Sequence, residues 1–325
     1  MRWQQAAMAV TMVLLCGRAA ALASPEVDCI APANPGGGFD LTCRLVDRLL
    51  KLRPASDVTA VRTQYLPGGI GAVAFDRAVT QHLADPHVVI AFSTGSLVNL
   101  AQGKFGPHGT KDVRWLATLG TDYGIVAVRR NSPIANLPAL MALLRKNPAG
   151  AVFGAGGTVG SQDWIKAALL VKAAGRDHRA MRFVAFEGGG QALAALKGGH
   201  VDVFCGDAAE ARAAVQAGDL KVIAVLSRHR LKAPLAQVPT AREQGVEVVW
   251  PTVRGLYMGP GVSDRDYADW VRLIRRVMAT PQFVRLLGDE GLEPRPLAGP
   301  EVETYAREQV EQLRELARSL HLRVP

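Results

Sequence analysis

Short apolar runs that end in glycine clusters and pass into helical spacing recur along this chain, and no other feature narrows its fold so far. VDCIA (27–31) runs through PANPGGGFD into LTCRLVDRLLKL (41–52), whose apolar residues repeat at three and four positions. The same grammar returns at LPGGIGAVAF (66–75), FSTGSLVN (92–99), FGAGGTVGSQDW (153–164) and FEGGGQAL (186–193), and CGDAAE (205–210) puts Asp207 at another strand end. Strands alternating with helices of about 10 to 15 residues make β-α units around parallel sheets. Further strands are expected at 58–66, 87–93, 114–129, 151–156, 181–187, 201–207 and 220–227. Helices are expected at 72–83, 135–147, 163–175 and 190–199. Residues 264–322 read as almost wholly helical, with breaks at Gly288 and Gly291–Pro294.

The series runs twice, over 24–125 and 126–227. A crossing at 225–240, a closing strand near 248–260 and the terminal helices then return to the first half. The expected architecture is α/β with two Rossmann-like lobes and a ligand cleft between them. Lobe 1 is discontinuous, 24–125 and 229–325, and lobe 2 is 126–228.

Residues 1–23 stand outside that pattern. Met1-Arg2, the apolar run AAMAVTMVLLC (6–16) and ALA (21–23) before Ser24 form a cleavable export signal, too short to span a bilayer. Leu15 before Cys16 argues against a lipid anchor. The expected location is periplasmic. The full-chain charge of +9 falls to +7 once Arg2 and Arg18 are set aside. With no dense basic run and no aromatic RNA-binding pattern, nucleic acid is excluded as a partner, and a diffuse positive field suits a small acidic solute. Three cysteines remain after the signal. Cys29 and Cys43 flank the first glycine loop and either bridge or, with Cys205, sit as small buried hydrophobes; the buried reading is preferred. No His or Cys spacing suits a metal, and no cofactor is expected.

Three glycines at 36–38 discard side-chain chemistry so that bare amides can be exposed where a helix begins. The first N–H groups of a helix lack partners and carry partial positive charge, which suits an anion. Asp40 lies where a carboxylate would cap those amides. Repetition of such loops at strand carboxyl ends, where open α/β sheets bind ligands, describes a pocket of amides and hydroxyls for a ligand with several oxygens. Competing chemistry is weaker. GAGGTVG (154–160) puts Val159 where a dinucleotide motif needs its third glycine, and no phosphate-binding G-x-x-x-x-G-K-[ST] occurs. STGS (93–96) and GSQ (160–162) lack the G-x-S-x-G elbow. Glu187 and Asp207 could pair as acid and base, but ligand orientation or capping is the better reading, and no enzyme is expected.

The order PGGGFD, PGGIGAVAF, FSTGS, GTDYG (120–124), FGAGGTVGSQDW, FEGGG, GGHVDVFCGDAAE, VPTAREQG (238–245) and WPTVRGLYMGP resembles the substrate-binding receptors of tripartite tricarboxylate transporters, the Bug receptors, over essentially the whole exported chain. The blocks around 29–48 and 151–170 most resemble the citrate-type branch. The resemblance implies a type II periplasmic binding-protein fold that closes on a carboxylated solute and delivers it, as a monomer, to a two-subunit membrane permease driven by an ion gradient. It also implies ligand contacts from Asn34, Gly37, Gly38, Phe39 and Asp40, from Ser93, Thr94, Gly95 and Ser96, from Gly156, Gly157, Thr158 and Ser161, and from Phe186, Glu187 and Gly188, with Asp207 at the rim.

Two departures from the family pattern stand out. PGGIGA lacks the polar residue many relatives insert. Arg254 is either a guanidinium partner for a third carboxylate or a surface arginine on the hinge side. Glu187, awkward for an anion site, either turns away or accepts a ligand hydroxyl such as that of citrate. The expected function is therefore a receptor for citrate or a related tricarboxylate. The alternatives are a dicarboxylate or acidic amino acid, a receptor feeding a sensor kinase, or, least favoured, an exported hydrolase or lyase.

Overall fold

Two mixed sheets, joined where the chain passes directly from one to the other at Gly124, organise the protein. The computed structural model describes residues 26–52 and 60–325; the expected export signal, 1–23, lies outside the described residues. Val27–Ala31 (β1), Gly38–Leu50 (α1), Val61–Tyr65 (β2), Ala72–Thr80 (α2), Val88–Ser93 (β3), Thr94–Ala101 (α3) and Arg114–Tyr123 (β4) come first. The second series is Ile125–Arg129 (β5), Leu137–Lys146 (α4), Val152–Gly156 (β6), Gln162–Ala173 (α5), Arg182–Phe186 (β7), Gly189–Gly198 (α6), Val203–Phe204 (β8), Ala208–Gln216 (α7) and Leu220–Val225 (β9). Pro251–Met258 (β10), Asp264–Met278 (α8), Pro281–Asp289 (α9), Glu293–Ala298 (β11) and Pro300–Ser319 (α10) close the chain.

The first sheet has the order β11-β4-β10-β3-β1-β2 and the second β7-β6-β8-β5-β9. β1 pairs in parallel with β2 and β3, and β6 with β7 and β8. The expectation of parallel units needs correcting at the crossings. β10 returns antiparallel between β3 and β4, and β5 lies antiparallel to β8 and β9. A strand that arrives from the other sheet enters without a helical crossover, so nothing forces it parallel.

Three local differences have clear causes. FSTGS is no loop: Ser93 caps α3, accepting from Gly95 N at 3.1 Å while Ser96 Oγ accepts from Ser93 N at 3.3 Å, a reciprocal capping box. The terminal stretch is interrupted by β11, an edge strand in which Pro294 and Pro296 need donate no hydrogen bond. Helix α7 is unforeseen, because Asp207 reads as the end of a strand and not as the residue before a helix.

Packing follows the amphipathic pattern. Leu45, Val46 and Leu49 of α1 cover Cys29 and Ala31 of β1, and each is 1% exposed or less. Burying each of these leucines is worth about 1.5–3 kcal/mol. That contact also settles the cysteines. Cys29 and Cys43 face each other between strand and helix and form a disulfide, with Cα atoms 5.6 Å apart, while Cys205 is a buried free thiol. Burial pushes that thiol up to about 12. Ala241, Val246, Val248 and Trp250 of the return segment pack into the core of the second sheet, as does Leu320 after α10. No described helix is long and apolar enough to cross a membrane.

Candidate functional site

The first glycine turn is held from within. Gly36 adopts φ +87°, a left-handed conformation that glycine enters freely, and its N–H donates to Asp40 Oδ2 at 2.9 Å. Asp40 Oδ1 accepts from the Tyr65 hydroxyl at 2.9 Å, and Arg44 Nη1 lies 3.3 Å from Oδ2. The Asp40 carboxylate is thus occupied in shaping the turn. The amides at Gly37 and Gly38 are left at the start of α1, where no side chain caps the helix.

The second sheet supplies two comparable starts. Gly156 N donates to Asp163 Oδ2 at 2.9 Å, Gly157 N donates to Phe186 O at 2.7 Å, and Ser161 caps α5 through Trp164 N. Gly188 precedes α6 with no side-chain cap. These turns come within van der Waals reach of the first sheet's. A Cβ on Gly190 would lie 3.1 Å from the Gly36 carbonyl, and one on Gly37 would lie 3.8 Å from Gly190 N. Gln102 Nε2 donates across to Gly160 O at 2.6 Å, and Lys104 Nζ to Val159 O at 2.7 Å.

Two cavities open between the facing turns and share Ile70 as a wall. The larger, about 300 Å³, is lined by Gly69, Ile70, Ala72, Asn99 and Lys104 from one side and by Gly157, Thr158, Ser161, Ala185, Phe186 and Glu187 from the other. The inner one, about 40 Å³, is lined by Ala33, Gly37, Gly38, Phe39, Ile70 and Ser93, by Gly156, Gln162, Asp163, Gly188 and Gly189, and by Glu210 and Arg254. Ile70 has φ +51°, a region β-branched residues avoid, and it presents its side chain where the sheets face each other. Asn34, Asp40, Thr94, Gly95, Ser96 and Asp207 line neither cavity. Thr94 Oγ1 instead accepts from Val253 N at 2.9 Å.

Under the inner cavity lies a buried charge cluster at the crossing of the sheets. Arg254 on β10 is 1% exposed, which rules out a surface arginine. Its Nη2 donates to Asp122 Oδ2 at 2.5 Å and to Asp207 Oδ2 at 3.3 Å. Lys166 of α5, also buried, donates to Asp207 Oδ1 at 2.7 Å and lies 2.8 Å from Asp163 Oδ1, an ion-pair contact and not an aligned hydrogen bond. Thr252 Oγ1 and Gln162 Nε2 complete the shell of Asp207 at 2.9 and 3.2 Å. Asp207 is therefore not at the rim of the cleft but at the centre of the cluster, 0% exposed. Burial works against its charge, but the Lys166 ammonium, the Arg254 guanidinium and the Lys166 and Thr252 hydrogen bonds outweigh it and hold the carboxyl below its ordinary range. Glu210 has the opposite fate. Burial first, then the Asp207 charge, push it up to about 8, and Arg254, 3.9 Å away, compensates only in part.

The sequence profile described as Tripartite tricarboxylate transporter family receptor matches residues 81–322. The chain belongs to that family. A UPF0065 protein of Bordetella pertussis is 25% identical to this receptor over 291 residues, 89% of this chain and 87% of its own. Among solved structures, the periplasmic binding protein BugD has a TM-score of 0.80 at 21% identity, covering 92% of this chain and 98% of BugD. MatC from Rhodopseudomonas palustris, with bound malate, has a TM-score of 0.77 at 23% identity over 90% and 98% of the two chains. A further R. palustris protein, with adipate, reaches 0.81 at 18% identity over 92% and 98%. These likenesses show the two-sheet α/β fold of periplasmic binding proteins, and the family is one of periplasmic solute receptors. Nothing among them singles out the citrate-type branch.

Sequence reasoning about this receptor missed Ile70, Lys104, Asp122, Gln162, Asp163, Lys166 and Glu210. Asp163, Lys166 and Glu210 carried a usable signal. Asp163 and Lys166 are three apart on one helix face of an otherwise apolar segment, and Glu210 is the acid in the alanine-rich helix former AAEARAAV.

Proposed function

We propose that this receptor binds a small polycarboxylate between two lobes, residues 24–125 with 229–325 and residues 126–228, with the return segment 241–250 packed against the second, and hands it to the membrane permease of a tripartite tricarboxylate transporter. The observation that carries the reading is the meeting of uncapped helix starts from both sheets, at Gly37–Gly38 and Gly188–Gly189, around cavities walled by Ile70. Amides aimed from two helix ends offer a carboxylate paired donors and favourable dipoles. Gly37, Gly38, Phe39, Ser93, Gly156 and Gly188 are the contacts proposed for the inner end. Gly157, Thr158, Ser161, Phe186 and Glu187 serve the outer end, where Lys104 supplies a cation. Asp40 and Asp207 have structural roles and leave the proposed set.

Arg254 belongs to the inner wall. Two carboxylates already neutralise it, so its contribution to a ligand is a directed donor and not a free charge. Lobe closure then couples binding to shape. The finer assignment is a tricarboxylate, citrate or a near relative, with Glu187 accepting the citrate hydroxyl. Malate in MatC and adipate in the second R. palustris protein make dicarboxylates the competing class. The export signal at 1–23 and a monomeric state complete the proposal.

A thermal-shift panel of ligand-stripped protein with citrate, isocitrate, malate, succinate, adipate, aspartate and glutamate tests it, since a ligand that binds the folded form alone raises Tm by mass action. A shift confined to tricarboxylates supports the finer reading. A shift with malate or adipate keeps the receptor and removes citrate. No shift with any acid overturns the polycarboxylate reading.

A further inference from the structure

Glu210 occupies the inner cavity in a way that the family assignment does not explain. Its side chain is 8% exposed, and its two oxygens reach the two facing helix starts. A Cβ on Gly38 would lie 2.6 Å from Glu210 Oε1 and would collide with Arg254 Nη1, and a Cβ on Gly189 would collide with Glu210 Oε2. Among the described residues no group donates a hydrogen bond to either oxygen, although Arg254 Nε, a donor on the same cavity, is buried without a partner; Gln162 Oε1, an acceptor there, is likewise unpartnered. A carboxyl placed between two anion-seeking amide clusters repels an anion if it is charged, and donates to one if it is neutral.

We propose that Glu210 contacts the bound solute as a neutral carboxylic acid and donates a hydrogen bond to a solute carboxylate, so that the receptor selects carboxylates and releases them as Glu210 ionises. The inference rests on the polycarboxylate reading and deepens it. The groups facing Glu210 support it. From its own helix start comes Asp207, from β10 Arg254, and from α5 Asp163 and Lys166, with Asp122 of β4 behind Arg254. At the starts of α1 and α6 the residues against Glu210 are Gly38 and Gly189; Asp40, in the first turn of α1, is bound to Gly36 N and the Tyr65 hydroxyl instead. Asp122, Asp163 and Asp207 share two cations, Arg254 and Lys166, and burial raises Asp122 and Asp163 themselves, so a further negative charge at Glu210 is opposed by burial first and then by Asp207 and Asp163. The elevated pKa of about 8 agrees with that geometry.

The test is calorimetric titration of citrate, malate and adipate from pH 6.5 to 9.5, in buffers of differing ionisation enthalpy. Wild type should bind at nearly constant affinity below pH 7. It should then weaken by up to about tenfold per pH unit above pH 8, with about half a proton taken up at pH 8. Glu210→Gln, which keeps a donor and cannot ionise, should bind with a flat pH profile, and Glu210→Ala should be weaker throughout. Ligand-free protein provides a second readout. A raised carboxyl contributes stability that is full below the unfolded value near 4.5 and lost as pH rises through about 8, so wild type should lose stability over that window relative to Glu210→Gln. Binding with a flat wild-type profile, or Glu210→Gln keeping the wild-type slope, overturns the role of Glu210 while leaving the receptor reading intact. If none of the three acids binds at any pH, the polycarboxylate reading fails and this inference fails with it.

Discussion

The helix starts that face each other across the cleft, at α1 and α6, are built in opposite ways. The α1 turn is braced on every side. Asp40 ties Gly36 and Tyr65 together, the Cys29–Cys43 disulfide fastens the helix to β1, and residues 37 to 41 are all buried. The α6 turn follows β7, an edge strand with exposed Arg182, Val184 and Ala185, and its side-chain brace is Gln191 Oε1 accepting from Glu187 N at 3.1 Å. One side is thus a closely braced turn and the other a more exposed and less tied one; in the proposed reading these become the anion seat and the flap. Affinity gained by the flap must first offset the entropy of ordering it, and the seat has already met that cost in folding.

The contrast is broken most severely at Arg254, which underlies Gly38. Arg254→Met should cost about 3–5 kcal/mol in urea denaturation, because in a buried site Asp122 would lose its cationic partner and Asp207 one of its two. The disulfide should come next. Cys29→Ala with Cys43→Ala removes a link across a sequence separation of 14, which predicts a loss of about 3 kcal/mol, read by the same denaturation series. Reducing the oxidised wild type should loosen the α1 turn before the α6 turn in amide exchange.

Adding a methyl group to each start sharpens the comparison. Gly38→Ala drives a Cβ into a guanidinium held by Asp122 and should cost about 1–3 kcal/mol. Gly189→Ala meets a Glu210 carboxyl with no described hydrogen bond to anchor it, which can rotate aside, so its loss should be smaller. The mildest pair is Asp40→Ala, expected near ~1 kcal/mol, against Gln191→Ala, near ~0.5 kcal/mol. Equal losses within either pair, measured by chemical denaturation, would remove the distinction between seat and flap.

Much of this was legible in residue order. Glycine is demanded wherever another group packs onto a Cα or the chain turns left-handed. The clusters at 36–38, 156–157 and 188–190 therefore marked the facing turns directly. Asp40 was legible as a capping carboxylate, though not as one spent wholly inside its own turn. The cysteine pair shows the limit of counting. An odd total favoured three small buried hydrophobes, and the packing of α1 on β1 overturned that reading for Cys29 and Cys43 by bringing them together as a disulfide. Helix α7 escaped because the strand before it is two residues long, and with it went Glu210.

By itself, the order of apolar runs, glycines and helical stretches determined an α/β chain that crosses between two sheets and presents amides at their junction, since those features depend on local backbone freedom and side-chain period. The tertiary structure alone decided what stands beneath those amides. Asp122, Asp163, Lys166, Asp207, Glu210 and Arg254 come from β4, α5, β10 and α7 with the residue before it, and meet because β4, β10 and the segment before α7 converge beside Gly124. Whether each of those acids is charged depends on desolvation and on neighbours remote in sequence, and no local pattern encodes either.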